Sequence, residues 1–210
     1  MGFELPPYWE QIREESADDL KEYNENFADY LLDKRINLLS TRYNGFNLLF
    51  DKFDIYTTRF TSDTYYQNIR YKQNIEWDGA LYSTMLMFPV NTPDKLLFVL
   101  DMNNTTNKIV GIGIVRNVLA KDQAINIYSN PSFNNYIYKS TYYISLPQTY
   151  GNDGNDEADI PSWQQFIEDE FEAKLFYGKS HSKRGGSFMV FPRRFKQRKH
   201  ILFLVSLFIS

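Results

Sequence analysis

The feature that most restricts the fold lies mid-chain. Leu96-Leu97-Phe98-Val99-Leu100 is a short apolar run, closed by Asp101-Met102-Asn103-Asn104-Thr105-Thr106-Asn107. Lys108-Ile109-Val110-Gly111-Ile112-Gly113-Ile114-Val115-Arg116-Asn117 then runs back. Two apolar segments around a polar, asparagine-rich loop predict a β-hairpin. Neither segment alternates polar with apolar, so both strands are expected to be buried on both faces. Gly111 and Gly113 point the same way from a strand. A face lined by two glycines invites close approach by a helix or a ligand backbone.

The flanking sequence sets an α+β class. Aromatic and β-branched residues crowd positions 46–90 and predict short strands near Phe53–Phe60, Tyr65–Tyr71 and Ala80–Phe88, with Pro89 and Pro93 bracketing a loop. Further strands are expected at Ile125–Tyr128 and Tyr136–Leu146. Ahead of them, Leu20, Tyr23, Phe27, Leu31 and Leu38 form one stripe of a helical pattern from Ala17 to Leu39. Behind them, Gly151–Asp159 is an acidic loop. Ser162 opens a second helix with Gln165 as its capping partner, and Gly178 suits its stop. Phe166, Phe171 and Leu175 are expected on a common side of that helix. The apolar run Ile201–Ile209 is too short to span a bilayer, which takes about 20 residues. It reads as a buried strand, or as an end altered by truncation or a frame change.

The expected architecture is a mixed or mainly antiparallel curved sheet flanked by two or more helices. A chain of 210 residues suffices for one such domain with a sizeable core. Within it, residues 1–45 form an N-terminal helical segment and 46–178 the α+β core. Residues 179–210 form a basic segment and an apolar C-terminal strand.

Composition narrows the chemistry. The chain has no cysteine, which excludes disulfides, thiolate metal sites and cysteine nucleophiles. Its N-terminus lacks the basic and apolar regions of a secretory signal, so a cytoplasmic or nuclear location is expected. The net charge of −3 is uneven, because residues 179–200 hold eight Lys or Arg and no Asp or Glu. That stretch seeks an anionic partner, or else packs against the acidic surface of its own domain.

Most motif-like patterns fail on context. Gly111-Ile112-Gly113 begins a dinucleotide fingerprint, but Arg116 holds the third glycine position and no helix pattern follows. His181 and His200 are too few for a histidine-rich metal centre and lie in a basic stretch. Glu172-Ala173-Lys174, with Asp159 or Asp169 upstream, has nuclease-like spacing but falls in a helical pattern. Residues two apart on a helix diverge, so a solvated face is expected. No cofactor pattern is present. Lys179-Ser180-His181-Ser182-Lys183-Arg184-Gly185-Gly186-Ser187 differs, because it offers cations, hydroxyls and backbone donors on a glycine-loosened chain. Phe188, Phe191 and Phe195 then interleave with Arg193, Arg194, Lys196, Arg198 and Lys199. Cations for phosphate and aromatics for bases are what single-strand binders combine.

The run LLFVLDMNNTTNKIVGIGIVRN resembles the core hairpin of PUA-like domains of the EVE and YTH type, in which an apolar strand, an asparagine-containing turn and a small-residue strand follow one another. The order of the surrounding elements is similar. The abundance of Asn and Tyr without Cys also resembles proteins of large DNA viruses. The first resemblance implies a small curved sheet or pseudo-barrel, and RNA or a modified base bound in an aromatic-walled pocket. The expected function is a non-catalytic nucleic-acid-binding module, with RNA favoured over DNA. Lys179, Ser180, His181, Lys183, Arg184, Arg193 and Arg194 would contact nucleic acid. Trp77, Trp163, Phe188 and Phe191 are candidates for stacking or for the pocket. A structural or virion assembly protein and a metal-dependent nuclease are the alternatives.

Overall fold

The computed structural model describes residues 53–87, 96–120, 125–146, 162–179, 181–183 and 188–209. The expected helix at 17–39, the proline-bracketed loop, the acidic loop at 151–159, Ser180 and Arg184 lie outside them. In chain order the described elements begin with β1 (Phe53–Phe60), α1 (Ser62–Asn74), β2 (Ala80–Thr84), β3 (Leu96–Asn103) and β4 (Lys108–Arg116). A 3-10 turn (Pro131–Asn134), β5 (Tyr136–Ser140) and β6 (Tyr143–Ser145) follow. The remainder is α2 (Ser162–Ile167), a π-helical turn (Glu168–Glu172), α3 (Ala173–Phe176), β7 (Phe188–Val190) and α4 (Arg198–Ile209).

The hairpin forms the middle of a five-stranded mixed sheet of order β6-β4-β3-β1-β7. β1 runs parallel to β3, and the other pairs are antiparallel. A parallel pair needs a long crossover, which α1 and β2 provide. β2 and β5 form a separate two-stranded ribbon. The five-stranded sheet has β6 and β7 at its edges and does not close on itself.

All eight residues of β3 are buried, the apolar run Leu96–Leu100 and with it Asp101, Met102 and Asn103. Leu96, Phe98, Leu100 and Met102 pack with Ile112 and Ile114 against Phe166, Phe171, Leu175, Phe203 and Leu204. Leu97, Val99 and Val115 pack on the other face with Tyr56, Ala80, Tyr82 and Tyr138. Burying each such side chain contributes about 1.5–3 kcal/mol. The register shifts between Asp101, opposite Gly111, and Met102, opposite Ile109, which leaves Val110 as a bulge. The bulge turns Ile109 toward the helices.

The second helix shows why its apolar spacing is irregular. Phe166 and Phe171 are five residues apart, a step that α-geometry carries about 140° around the axis at 100° per residue. The π turn absorbs that step and brings both rings into one cluster with Leu175. Gly178, at φ 79°, ends the helix as expected. Glu172 does not lie on a solvated face. It is buried, accepts from the Ile109 amide at 2.8 Å and pairs with Lys108 at 3.1 Å.

Three other expectations change. Residues 65–71 are helical, because Thr61 and Thr64 form a reciprocal capping box and Tyr65, Asn68, Ile69 and Lys72 share a helical face. Ile125–Tyr128 is no strand, since the Ile127 and Tyr128 amides donate to the Asn134 side chain at 3.1 and 3.0 Å instead of to a ladder. The C-terminal apolar run is helix α4, not a strand. A short apolar run carries no period of its own. Here Ile201, Leu204 and Val205 bury one helical face, and the Gln197 amide donates to His200 Nδ1 at 3.1 Å at the first turn. β7 and α4 are thus part of the domain, pairing with β1 and filling the helical side of the core.

A candidate aromatic cavity and a basic sheet edge

α1 and the turn that ends it build a cavity of about 500 Å³. Tyr65, Ile69, Lys72 and Gln73 line it from one face of the helix, followed by Glu76, Trp77 and Asp78. Tyr143 and Ser145 of β6 close the opposite wall. The turn is made by two bonds: the Trp77 amide donates to the Lys72 carbonyl at 2.9 Å and the Glu76 amide to that of Gln73 at 3.1 Å. This C-cap usually places glycine where Glu76 stands. Glu76 has φ 51°, a left-handed conformation that costs a residue with a Cβ about 1–2 kcal/mol. Such strain concentrates at ligand sites. Beyond the turn, Trp77 donates through Nε1 to the Ala80 carbonyl at 3.2 Å, and Lys139 Nζ lies 4.1 Å from its ring centre.

Tyr143 links the cavity to a buried carboxylate. Its hydroxyl donates to Asp101 Oδ2 at 3.1 Å, and the Thr58 hydroxyl donates to Oδ1 at 3.2 Å. Asp101 is 3% exposed. Burial pushes its carboxyl up to about 7, against the opposing pull of the Lys72 charge and the donated hydroxyls. Lys72 Nζ sits 3.8 Å over the Tyr143 ring and donates to the Gly79 carbonyl at 3.2 Å. Burial lowers the Lys72 pKa, while Asp101 and Asp78 hold its charge in place.

The two hairpin glycines do share a face, but what approaches them is neither a helix nor a ligand backbone. A Cβ on Gly111 would stand 2.1 Å from the Tyr143 hydroxyl oxygen, and one on Gly113 would stand 2.4 Å from that of Tyr82. The missing side chains admit two tyrosine tips to the centre of the sheet. The Tyr82 hydroxyl is buried there, beside the Asp101 carboxylate.

The basic segment follows the opposite edge. Ser182 accepts from Arg59 Nε at 2.5 Å, and Lys183 donates to the Asn107 side chain at 2.7 Å beside the hairpin loop. His181 is half-buried, its Nδ1 accepting from the Lys183 amide at 3.4 Å. Lys179, Arg193 and Arg194 are exposed, and Arg194 stacks 4.6 Å from the Phe195 ring centre. Other cations of the stretch pair internally: Lys196 with Asp54 at 3.1 Å, and Lys199 with Glu170 at 2.5 Å. The stretch thus packs in part against acidic side chains of its own domain, at Lys196 and Lys199, while Lys179, Arg193 and Arg194 are exposed.

His200 is fully buried beside Glu170, at 3.0 Å. Because Nδ1 accepts the Gln197 amide, Nε2 carries the proton and donates to Glu170. Burial pushes the imidazole down to about 4, so the ring is neutral and structural.

The aromatic candidates divide. Trp77 lines the cavity. Trp163 packs on the helical core. Phe188 packs edge-on against Tyr82 at 5.5 Å. Phe191 is fully buried among Phe171, Phe195 and His200, with no face open to a base. The sequence analysis missed Tyr65, Lys72, Glu76, Asp101 and Tyr143. The signal for Asp101 was its place at the end of an apolar run opposite a glycine-bearing one; the strand continues through it to Asn103.

Among the described residues no group of three or more metal-ligating side chains is assembled, and no helix is long and apolar enough to cross a membrane. No family model matches the chain, and no curated protein or solved structure does.

Proposed function

We propose that this chain is a non-catalytic, PUA-like nucleic-acid-binding module that takes an unpaired base, preferably of RNA, into the α1 cavity. The observation that carries this reading is the convergence of three aromatic side chains, Tyr65, Trp77 and Tyr143, on one cavity of about 500 Å³. That size suits a small organic group held by apolar walls and a few polar atoms. Stacking on such walls contributes about 1–3 kcal/mol per base.

The basic edge supplies the phosphate contacts. Tyr143, Gly113, Val99, Tyr56 and Val190 lie in one cross-strand row, so cavity and basic edge stand four strand spacings apart. That is about 19 Å at ~4.8 Å per spacing. A strand of about 4–16 nucleotides, the usual footprint of a single-strand site, reaches both.

Fluorescence anisotropy with single-stranded RNA across a salt series tests the basic edge. Each phosphate contact on a single strand adds about −0.7 to the slope of log affinity against log salt. The double variant Arg193→Glu, Arg194→Glu is expected to bind more weakly and to flatten the slope by about 1.4. Unchanged affinity and slope would remove both arginines from the interface.

One observation favours an assembly role instead. Met85, Leu86 and Met87 are consecutive and 42%, 65% and 45% exposed, and exposed apolar patches mark association surfaces. Light scattering separates the two readings, since an assembly protein self-associates and the module does not require it.

A further inference from the structure

We propose that the cavity selects a positively charged base, a purine carrying a quaternary methylated ring nitrogen, over its neutral counterpart. This rests on the reading of the cavity as a base pocket and adds the charge of the base it takes.

Three features favour a cation, the second and third of which share Glu76. The first is the aromatic wall, which already holds ammonium groups of the protein itself. Lys72 lies 3.8 Å over Tyr143 and Lys139 lies 4.1 Å over Trp77. Aromatic faces attract cations most strongly where water is excluded. The second is the charge of the surroundings. Glu76 and Asp78 line the cavity, Asp101 lies behind Tyr143, and the lining reaches the C-terminal, negative end of the α1 dipole. Glu76, Asp78, the helix end and the ionised fraction of Asp101, whose carboxyl is pushed up to about 7, together outweigh two ammonium groups.

The third is the backbone at Glu76. A glycine would meet the left-handed φ of 51° without strain, yet a carboxylate stands there, on the cavity wall. A cationic purine gives that carboxylate a use, because its ring N–H groups donate charge-assisted hydrogen bonds to Glu76 or Asp78. The cavity volume of about 500 Å³ falls in the range that encloses a whole small molecule, which favours a base over an isolated methylammonium head.

Isothermal titration calorimetry near neutral pH would compare guanosine monophosphate with 7-methylguanosine monophosphate, using single-stranded RNA and a trimethyllysine peptide as further probes. The methylated nucleotide is expected to bind about tenfold more tightly than the unmethylated one. Glu76→Gln, which keeps a side chain in the left-handed position, should bring the two affinities together. Glu76→Gly should also lose the preference while raising the Tm of the ligand-free protein, which separates loss of the carboxylate from loss of folding. Equal affinity of the wild type for both nucleotides would overturn the charge selection and leave the base pocket standing. Tighter binding of the peptide would overturn it in favour of a methylammonium partner. If neither nucleotide nor single-stranded RNA binds, the nucleic-acid reading falls as well.

Discussion

Asp101→Asn is expected to make the protein more stable than wild type above neutral pH and to give no such gain in acid. The carboxyl has an ordinary value of 3.8 and is pushed up to about 7 in the fold. Between those values the native state binds a proton that the unfolded chain has lost. The favourable contribution of the protonated form is therefore complete below 3.8 and disappears as pH rises through about 7. About three pKa units correspond to roughly 4 kcal/mol at full ionisation. An amide at this position does not titrate, and the Thr58 and Tyr143 hydroxyls can turn to accept from it. Urea denaturation of both proteins across a pH series isolates the effect. Glu170, held down to about 2 by the Lys174, Lys199 and His200 hydrogen bonds that outweigh its desolvation, contributes stability that is lost in acid. The neutral His200, pushed down to about 4, does the same as pH falls below 6.5. Both groups are common to the two proteins and cancel in the difference. Superimposable pH profiles would contradict the burial of an ionisable Asp101.

Gly111→Ala is expected to destabilise the fold by roughly 2–6 kcal/mol. Overpacking costs about 1–3 kcal/mol and leaving a buried polar group without its partner about 1–3 more. Both apply, because the new Cβ would take the place of the Tyr143 hydroxyl that donates to Asp101. The same change displaces one wall of the cavity, so nucleotide affinity should fall with stability. Gly178→Ala is the informative contrast: nothing lies within 4 Å of its Cβ position, and only the φ of 79° penalises it. Its cost should stay near 1 kcal/mol. Denaturant midpoints of the two variants that differ by less than that margin would show that the glycine face does not depend on close approach.

The hairpin was legible because burial on both faces leaves a direct mark, an unbroken apolar run paired with another across a polar loop. The helix ending at Gly178 was legible for its glycine stop and its buried Phe166, Phe171 and Leu175. α1 was not, since Tyr65, Tyr66 and Tyr71 favour strands by residue type, while the decisive capping box uses Thr64 where Glu or Gln is usual. α4 was not, because a nine-residue apolar run fits either period until a neighbour is known. The cavity was hidden for a different reason. It joins residues 65–78 to residues 143–145 through Asp101, and no short window of sequence carries that juxtaposition. Trp77 was reached by residue type alone. Glu76 gave no sign, since its importance lies in a backbone conformation that the sequence would assign to glycine.

The most direct test of the cavity as a base site is the affinity of single-stranded RNA for the wild type and for Trp77→Ala at one fixed, low salt concentration. Removing a stacking wall should weaken binding by about 1–3 kcal/mol, roughly 5- to 150-fold. Equal affinity of the two folded proteins would contradict base binding in the cavity. No binding by the wild type would contradict the nucleic-acid assignment altogether.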